Sequence, residues 1–482
     1  MGHHKSFNDE THIPQPIIKR AQMVATLCAV LGLGASFGGY FMSADTHVVK
    51  QAHADHHEGA SHAKTDAHAK TDAHAKADAH AKTDAHAKTD AHAKTDAHAK
   101  TDAHAKTDAH AEKHEAPAHE GSLKKQFLFS WLTAFVFFTT LCLGGLFFTI
   151  LHHLVRASWS TSLRRIAENL AMNFPIMAIC AAALALLGFS EVFHWTHIDP
   201  ESDPFFKIKE PYLNTGFFTI RSVFFFGIWM VMAFFFRSNS LKQDGTNNND
   251  DAELLNYKMR KWAPLSMLTF ALTLTFFAFD WLMSLDPHWF STMFGVYIFA
   301  GTVVALFATL IVVILWLEGN GILQNTITIG NFHDAGKLMF GFIVFWTYIT
   351  FSQYYLIWYA NIPEEIGWYL HRMQGGWENI GLFIAVGHFI LPFWVVMSRH
   401  TKRNRTVLGV AAIWMLVMHF VDLYFVVMPT YHHHLHFHWM DLTTFVGIGG
   451  LFLHGFLYWS SKDAIVAHRD PQLIASMEYD NA

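Results

Sequence analysis

Apolar residues in this chain come in long runs, and polar residues collect in the gaps between them. Ten such runs lie near 21–42, 126–154, 170–193, 215–236, 263–285, 290–317, 335–359, 378–397, 407–428 and 441–460. A helix of about 20 residues spans the hydrocarbon core of a bilayer, and backbone in lipid must satisfy its own hydrogen bonds. Each run is therefore predicted to be a membrane-spanning helix, which makes the chain an all-α polytopic membrane protein. The fifth and sixth runs meet across the short polar turn Asp286-Pro287-His288, inside FDWLMSLDPHWFSTMFGVYIFAGT (279–302). This turn reads as a hairpin at a membrane surface and as the seam between two helical halves.

Two stretches break the pattern. Residues 1–46 hold a polar tail with Lys5, Lys19 and Arg20, followed by the first run. Positive charge before and small residues after are signal-peptide features, but the length of the run fits an uncleaved anchor better. Residues 47–120 are low complexity: the hexad TDAHAK recurs from Thr65 to His110, with one variant at Ala77. A period of six does not match a 3.6-residue helix, so no apolar face forms and nothing can be buried. Alanine and the four-residue spacing of Asp66 and Lys70 favour transient helix. The composition describes a solvated spacer. Metal buffering by its histidines would need neutral imidazoles gathered by folding.

Composition agrees with the pattern. Of 482 residues, 52% are hydrophobic and only 15% charged, with 45 Phe and 16 Trp; soluble domains are roughly 25% charged. The mean hydropathy of +0.20 is diluted by the hexad tract. A net charge of -5 argues against nucleic acid as a partner. Cys28, Cys142 and Cys180 each stand alone in an apolar run, without CxxC or CxxCH. An iron–sulfur cluster, covalent haem or zinc ribbon held by this chain alone is not expected.

Charge orients the runs. With an even number of spans and the N-terminus inside, Arg156, Arg164, Arg165, Arg237, Lys242, Lys258, Arg260, Lys261, Arg399, Lys402, Arg403, Arg405, Lys462 and Arg469 fall on the cytoplasmic side. The other side, the hexad tract aside, receives chiefly Lys207, Lys209 and Arg372, with Lys124, Lys125 and Arg221 at helix entrances. That is the positive-inside asymmetry. It predicts cytoplasmic termini and places on the periplasmic side the hexad tract, loops 194–214 and 360–377, and a histidine loop at 430–440. Trp195, Trp289, Trp368 and Trp439, near predicted helix ends, read as an interfacial belt.

Polar groups inside the runs can then be given depths. Asp280 in the fifth run, Ser352, Gln353 and Tyr354 in the seventh, and His419 and Asp422 in the ninth all fall in outer halves. His419 and Asp422 are three apart and share a helix face. His388 lies near the midplane of the eighth run, His454 in the inner half of the tenth, and Glu191 closes the third run at the outer surface. Ionisable groups in hydrocarbon are functional candidates, with structural interhelical bonds as the competing reading. A carboxylate beside a histidine in a partly dry site can pass a proton. Asp280, His419 and Asp422 are therefore the leading proton-path candidates, followed by His388, His454 and Glu191, with Ser352, Gln353 and Tyr354 as quinone-facing candidates. In the loop YHHHLHFHW (431–439), His432, His433, His434, His436 and His438 suit a zinc or copper ion chemically. No Cys or acidic ligand is interleaved, and a partner-facing loop without metal is the favoured reading.

Two segments, FDWLMSLDPHWFSTMFGVYIFAG (279–301) and FSQYYLIWYANIPEEIGWYLHR (351–372), on ten predicted helices, resemble the ActF subunit of bacterial alternative complex III, a quinol:cytochrome c oxidoreductase. The likeness covers most of residues 120–460; the hexad tract looks like an insertion. The resemblance implies a fold like the polysulfide-reductase NrfD family. That means two four-helix bundles, here 121–289 and 290–430, flanked by the first span and by the last span with its tail (431–482). It further implies an inner-membrane location, a similar ActC companion that carries the better-supported quinol site, and separate multihaem cytochrome c and iron–sulfur subunits. Lipid and a terminal oxidase are further implied neighbours. Under this reading the chain is a scaffold that binds no cofactor by itself, with a quinone-facing site or proton path as its candidate chemistry. Two other classes compete: a secondary transporter, against which no clear inverted repeat or broken helix pair is found, and a b-type cytochrome using pairs among His388, His419 and His454.

Overall fold

The apolar runs fold as helices because lipid offers the backbone no other hydrogen-bond partner. A computed structural model describes residues 9–54 and 122–478, and the hexad tract lies outside them. Among the described residues ten helices are long and apolar enough to cross a membrane, and there is no strand. They are α1 (Gln15–Phe41), α2 (Leu123–Leu154), α3 (Thr161–Val192), α4 (Thr215–Asp244), α5 (Asn249–Leu285), α6 (Phe294–Gly319), α7 (Ile329–Ala360), α8 (Trp377–Met397), α9 (Arg405–Thr430) and α10 (Trp439–Lys462). The chain is an all-α polytopic membrane protein.

Helices α2–α5 close one ring, each packed on the next and α5 back on α2. Helices α6–α9 close a second ring in the same way. The rings share a seam where α2 meets α6 and α9, and α5 meets α6. Helix α2 is therefore surrounded, with an unbroken stretch of buried residues from Gln126 to Ile150. Helix α10 covers α2 and α3, and α1 lies on α10. Their approach needs glycine: a Cβ on Gly32 would sit 2.5 Å from the Gly447 nitrogen.

The hairpin at Asp286-Pro287-His288 is pinned to its neighbours. Lys209 Nζ donates to the Pro287 carbonyl at 2.6 Å, and His288 Nε2 lies 2.6 Å from the Asp203 carboxylate. Trp289 stacks on Trp368 of the short helix Pro363–His371, with ring centroids 4.8 Å apart. Trp195, Trp289 and Trp368 are thus buried, and of the four expected belt residues Trp439 is the one that is exposed. These loops fold over the helix ends and enclose the rings.

Helix α3 begins at Thr161, well before its apolar run, and carries Arg164, Arg165 and Glu168 into the interior. The charges neutralise one another there. Arg165 reaches Glu168 at 3.1 Å and Asp244 at 2.9 Å, Arg237 reaches Asp463 at 2.8 Å, and Arg164 pairs with Asp470. Arg164, Arg165 and Arg237, counted as loop charges from sequence, are therefore internal, and Lys402 is buried as well.

Candidate functional site

The second ring holds a cluster of buried polar side chains. Helix α9 presents His419 and Asp422 on one face, α6 contributes Tyr297, α7 Trp346 and α8 His388, all buried. The Tyr297 hydroxyl donates to one oxygen of the Asp422 carboxylate, and Trp346 Nε1 donates to the other at 3.2 Å. His388 lies on the Trp346 face, centroids 3.8 Å apart and planes at 27°. His419 Nε2 meets Thr140 Oγ1 of α2 at 2.9 Å. Gly301 makes room for this arrangement, since a Cβ there would come within 3.2 Å of the His419 ring and 3.6 Å of Trp346.

Helix α8 is not a regular α-helix where it supplies His388. Residues Ala385–Ile390 form a π-helical turn just before Pro392, a feature that often marks functional positions. Trp414 Nε1 donates to the Gly387 carbonyl at 2.7 Å. Both ring nitrogens of His388 and Nδ1 of His419 are buried with no hydrogen-bond partner among the described residues. Buried polar atoms in native proteins are normally paired, by protein or by ordered water.

Beside Asp422 lies a cavity of about 870 Å³ between α7, α8 and α9. Its walls include Tyr297, Trp346, Gln353, Tyr354, Trp368, Tyr369, Arg372 and Glu378. Tyr348, Phe351 and Ile390 line it too and are exposed on the outside of their helices, so the cavity opens sideways between α7 and α8. Gln353 Nε2 donates to the Tyr369 hydroxyl at 3.2 Å, and its Oε1 accepts from Ser291 at 2.8 Å. Tyr354 sets its ring edge-on to Tyr369. Ser352 is half-buried and does not line the cavity.

Arg372 closes the hairpin end of this cavity. Its guanidinium donates to the carbonyls of Phe425 at 3.0 Å, Val426 at 2.6 Å and Trp368 at 2.9 Å, and lies 3.5 Å over the Trp368 ring. Two of those carbonyls end α9, where a cation is favoured. Burial pulls the Arg372 guanidinium down to about 9.

The other predicted residues lie apart. Both oxygens of Asp280 are held by the Arg221 guanidinium, at 2.7 and 2.9 Å, within the first ring. Its hydrogen bonds thus go to neither His419 nor Asp422. His454 is on an exposed face of α10 and meets Thr26 of α1 at 3.1 Å. Glu191 pairs with Lys124 and Lys125, both at 3.5 Å. In the histidine loop, His432 Nε2 meets Gln126 Oε1 at 2.6 Å, and His438 Nδ1 accepts from the Met440 amide, capping α10. His433, His434 and His436 are exposed. Among the described residues no three His, Cys, Asp or Glu side chains gather as a metal site would need.

Tyr297, Trp346, Arg372 and Asp441 were not singled out from sequence. Asp441 is buried and accepts from Gln126 at 2.8 Å, Ser130 at 2.5 Å, Tyr424 at 3.1 Å and the His438 amide at 2.9 Å. It stands in the first turn of α10, outside the middle of any apolar run, where sequence alone gives a carboxylate no mark of burial. Tyr297 and Trp346 look like ordinary core aromatics; the signal that pointed to them was Asp422, which needs buried donors.

Compared with known proteins, the chain matches no family model and no curated protein.

Proposed function

We propose that this chain is an inner-membrane subunit of a quinol-oxidising complex of the alternative complex III kind, and that the cavity between α7, α8 and α9 takes a quinone head group. The observation that carries the reading is Asp422, a buried carboxylate on the wall of an aromatic cavity that opens sideways between helices. Ligand sites are concave and mostly apolar, with a few convergent polar groups. A lipid-soluble ring fits such a slot and enters from the bilayer without crossing water.

Oxidation of a quinol releases two protons with two electrons. The electrons would leave to haem and iron–sulfur centres on companion subunits, as the sequence resemblance implies. This chain's part is the proton. Tyr297 and Trp346 each occupy one lone pair of Asp422, which leaves each oxygen able to accept from a quinol hydroxyl. His388, stacked on Trp346 with unpaired ring nitrogens, is the next acceptor, and His419 the one after. Arg372 and the Gln353–Tyr369 pair can donate to a quinone carbonyl at the hairpin end. The b-type cytochrome reading has less support, because His388 and His419 do not line the cavity and His454 lies on α10.

The test is purification of the tagged full chain from its native membrane. Co-purification of companion chains with haem c and iron–sulfur absorbance, with quinol:cytochrome c activity, is the expected result. A chain that purifies without such companions from membranes that hold it stably overturns the reading.

A further inference from the structure

At the end of the molecule opposite the hairpin, a second cleft of about 470 Å³ lies between α4 and α5. It combines two kinds of wall. Val231 and Phe234, both largely exposed on the membrane-spanning part of α4, form an apolar side that no other described helix covers. Above them come Ser238, Asn239 and Lys242 of α4, and Lys258 of α5. Apolar chain below and cationic groups above is the profile of a phospholipid lying along a helix pair.

The charges at this end divide into two sets. Arg164, Arg165 and Arg237 are internal and paired with carboxylates. Lys242 and Lys258 are exposed, and among the described residues neither has a carboxylate within 4.0 Å. Arg260 and Lys261 continue the basic patch along α5. Asp244 is occupied by Arg165 and His468, and Asp250, Asp251 and Glu253 lie at least a helical turn before Lys258. Lys258 Nζ hangs 5.7 Å from the Phe235 ring, at the rim of the cleft.

A third observation points to the head group. Asn239 is buried; its Nδ2 donates to the Phe235 carbonyl at 2.7 Å, and its Oδ1 has no partner. That oxygen is an acceptor awaiting a donor. We propose that the cleft binds one anionic phospholipid with a hydroxylated head group, of the phosphatidylglycerol class. Its phosphate meets Lys242 and Lys258, its glycerol hydroxyl donates to Asn239, and an acyl chain lies along Val231 and Phe234. The site is remote from Asp422 and holds whether or not the quinone reading does.

Native mass spectrometry of the detergent-purified full chain tests this, using phosphatidylglycerol, phosphatidic acid and phosphatidylcholine with matched acyl chains. The expected result is one phosphatidylglycerol retained about tenfold or more over phosphatidylcholine, since two lysines near a lipid surface supply an effect of that size. Lys242→Gln with Lys258→Gln should abolish the preference, and Lys242→Arg with Lys258→Arg should keep it. Asn239→Ala should weaken phosphatidylglycerol and leave phosphatidic acid unchanged, because phosphatidic acid has no glycerol head to donate. Equal retention of the two wild-type lipids, or an undiminished preference in the double Gln variant, overturns the site. An equal effect of Asn239→Ala on both anionic lipids overturns the hydroxyl contact.

Discussion

Asp280 and Asp422 read alike in the sequence, each a carboxylate in the outer half of an apolar run. Their surroundings separate them. Asp280 is one half of a bidentate ion pair whose other half, Arg221, is itself buried against Tyr212 and Phe217. Asp280→Asn should therefore behave as a folding mutation. Removing one partner of a buried pair costs about 3–5 kcal/mol, and the membrane yield and melting temperature of the purified protein should fall accordingly. Replacing both members, Arg221→Met with Asp280→Leu, should recover most of that loss. Asp422 bonds only to neutral donors. Asp422→Asn keeps its size and one acceptor and should lower stability by only about 1 kcal/mol. Quinol turnover by the assembled complex should drop about a hundredfold or more, the scale of a lost proton acceptor. Asp422→Leu should instead lower the melting temperature, because Tyr297 and Trp346 would be left unpaired. Full turnover in Asp422→Asn would remove this residue from the proton path. That both carboxylates lie within spanning helices could be read from the sequence, because hydropathy locates those helices. Pairing could not, since Arg221 stands 59 residues from Asp280 in the chain and reads as a helix-entrance charge.

At the scale of elements, the apolar runs located the helices and missed what extends them. Helix α3 takes in Arg164, Arg165 and Glu168 because partners from α4 and the C-terminal segment meet them there, and no local pattern announces such partners. The histidine loop repeats the lesson. Five histidines within seven residues read as a partner-facing loop with metal as the weaker alternative, and neither reading gives the packing roles of two of them: His432 bonds Gln126, and His438 caps α10. Burial pushes the His432 imidazole down to about 4, with His436 and His438 adding to the effect. A histidine whose folded value lies below its unfolded value of about 6.5 holds the proton less well when folded. Its contribution to stability is complete above about pH 6.5 and is lost as pH falls towards 4. Melting curves of wild type and His432→Gln across that range should converge at low pH, the variant showing the shallower dependence. Parallel curves would mean that the loop opens without uncovering His432. The contact between α1 and α10 is a third element-level feature. A Cβ on Gly450 would collide with the backbone of Ala25 and Ala29, so Gly450→Val should detach α1 and expose Cys28 to a membrane-permeant thiol reagent. Unchanged labelling would show that α1 is held by other contacts.

At the scale of the whole molecule, run count gives the ten spans and the resemblance implies their grouping into two bundles, and neither implies the packing of α2 through the centre. Hydropathy treats every span alike. Yet the α2 window is 94% buried where that of α8 is 28% buried, because one sits at the seam and the other at the rim. Orientation is the property on which every assigned depth depends. The positive-inside argument counts Lys and Arg flanking the spans and gives acidic residues little weight. Pairing inside the protein therefore does not weaken it, although Arg164, Arg165 and Arg237 are neutralised there. Setting aside those three, the buried Lys402, and Arg405, which pairs with Glu318, still leaves Lys242, Lys258, Lys261, Arg399, Lys462 and Arg469 exposed at the end opposite the hairpin. At the hairpin end Lys207 pairs with Glu201, Lys209 serves the Pro287 carbonyl and Arg372 the end of α9. The asymmetry thus survives removal of every internally occupied cation. A reporter fused after Ala482 should read cytoplasmic, and one placed in the hexad tract should read periplasmic. Deleting Thr65–His110 should change neither result, nor the melting temperature, since a period of six presents no face to bury. The opposite pair of reporter signals would turn the molecule over. The Asp422 cavity would then face the cytoplasmic half of the membrane, and protons from quinol oxidation would leave on that side.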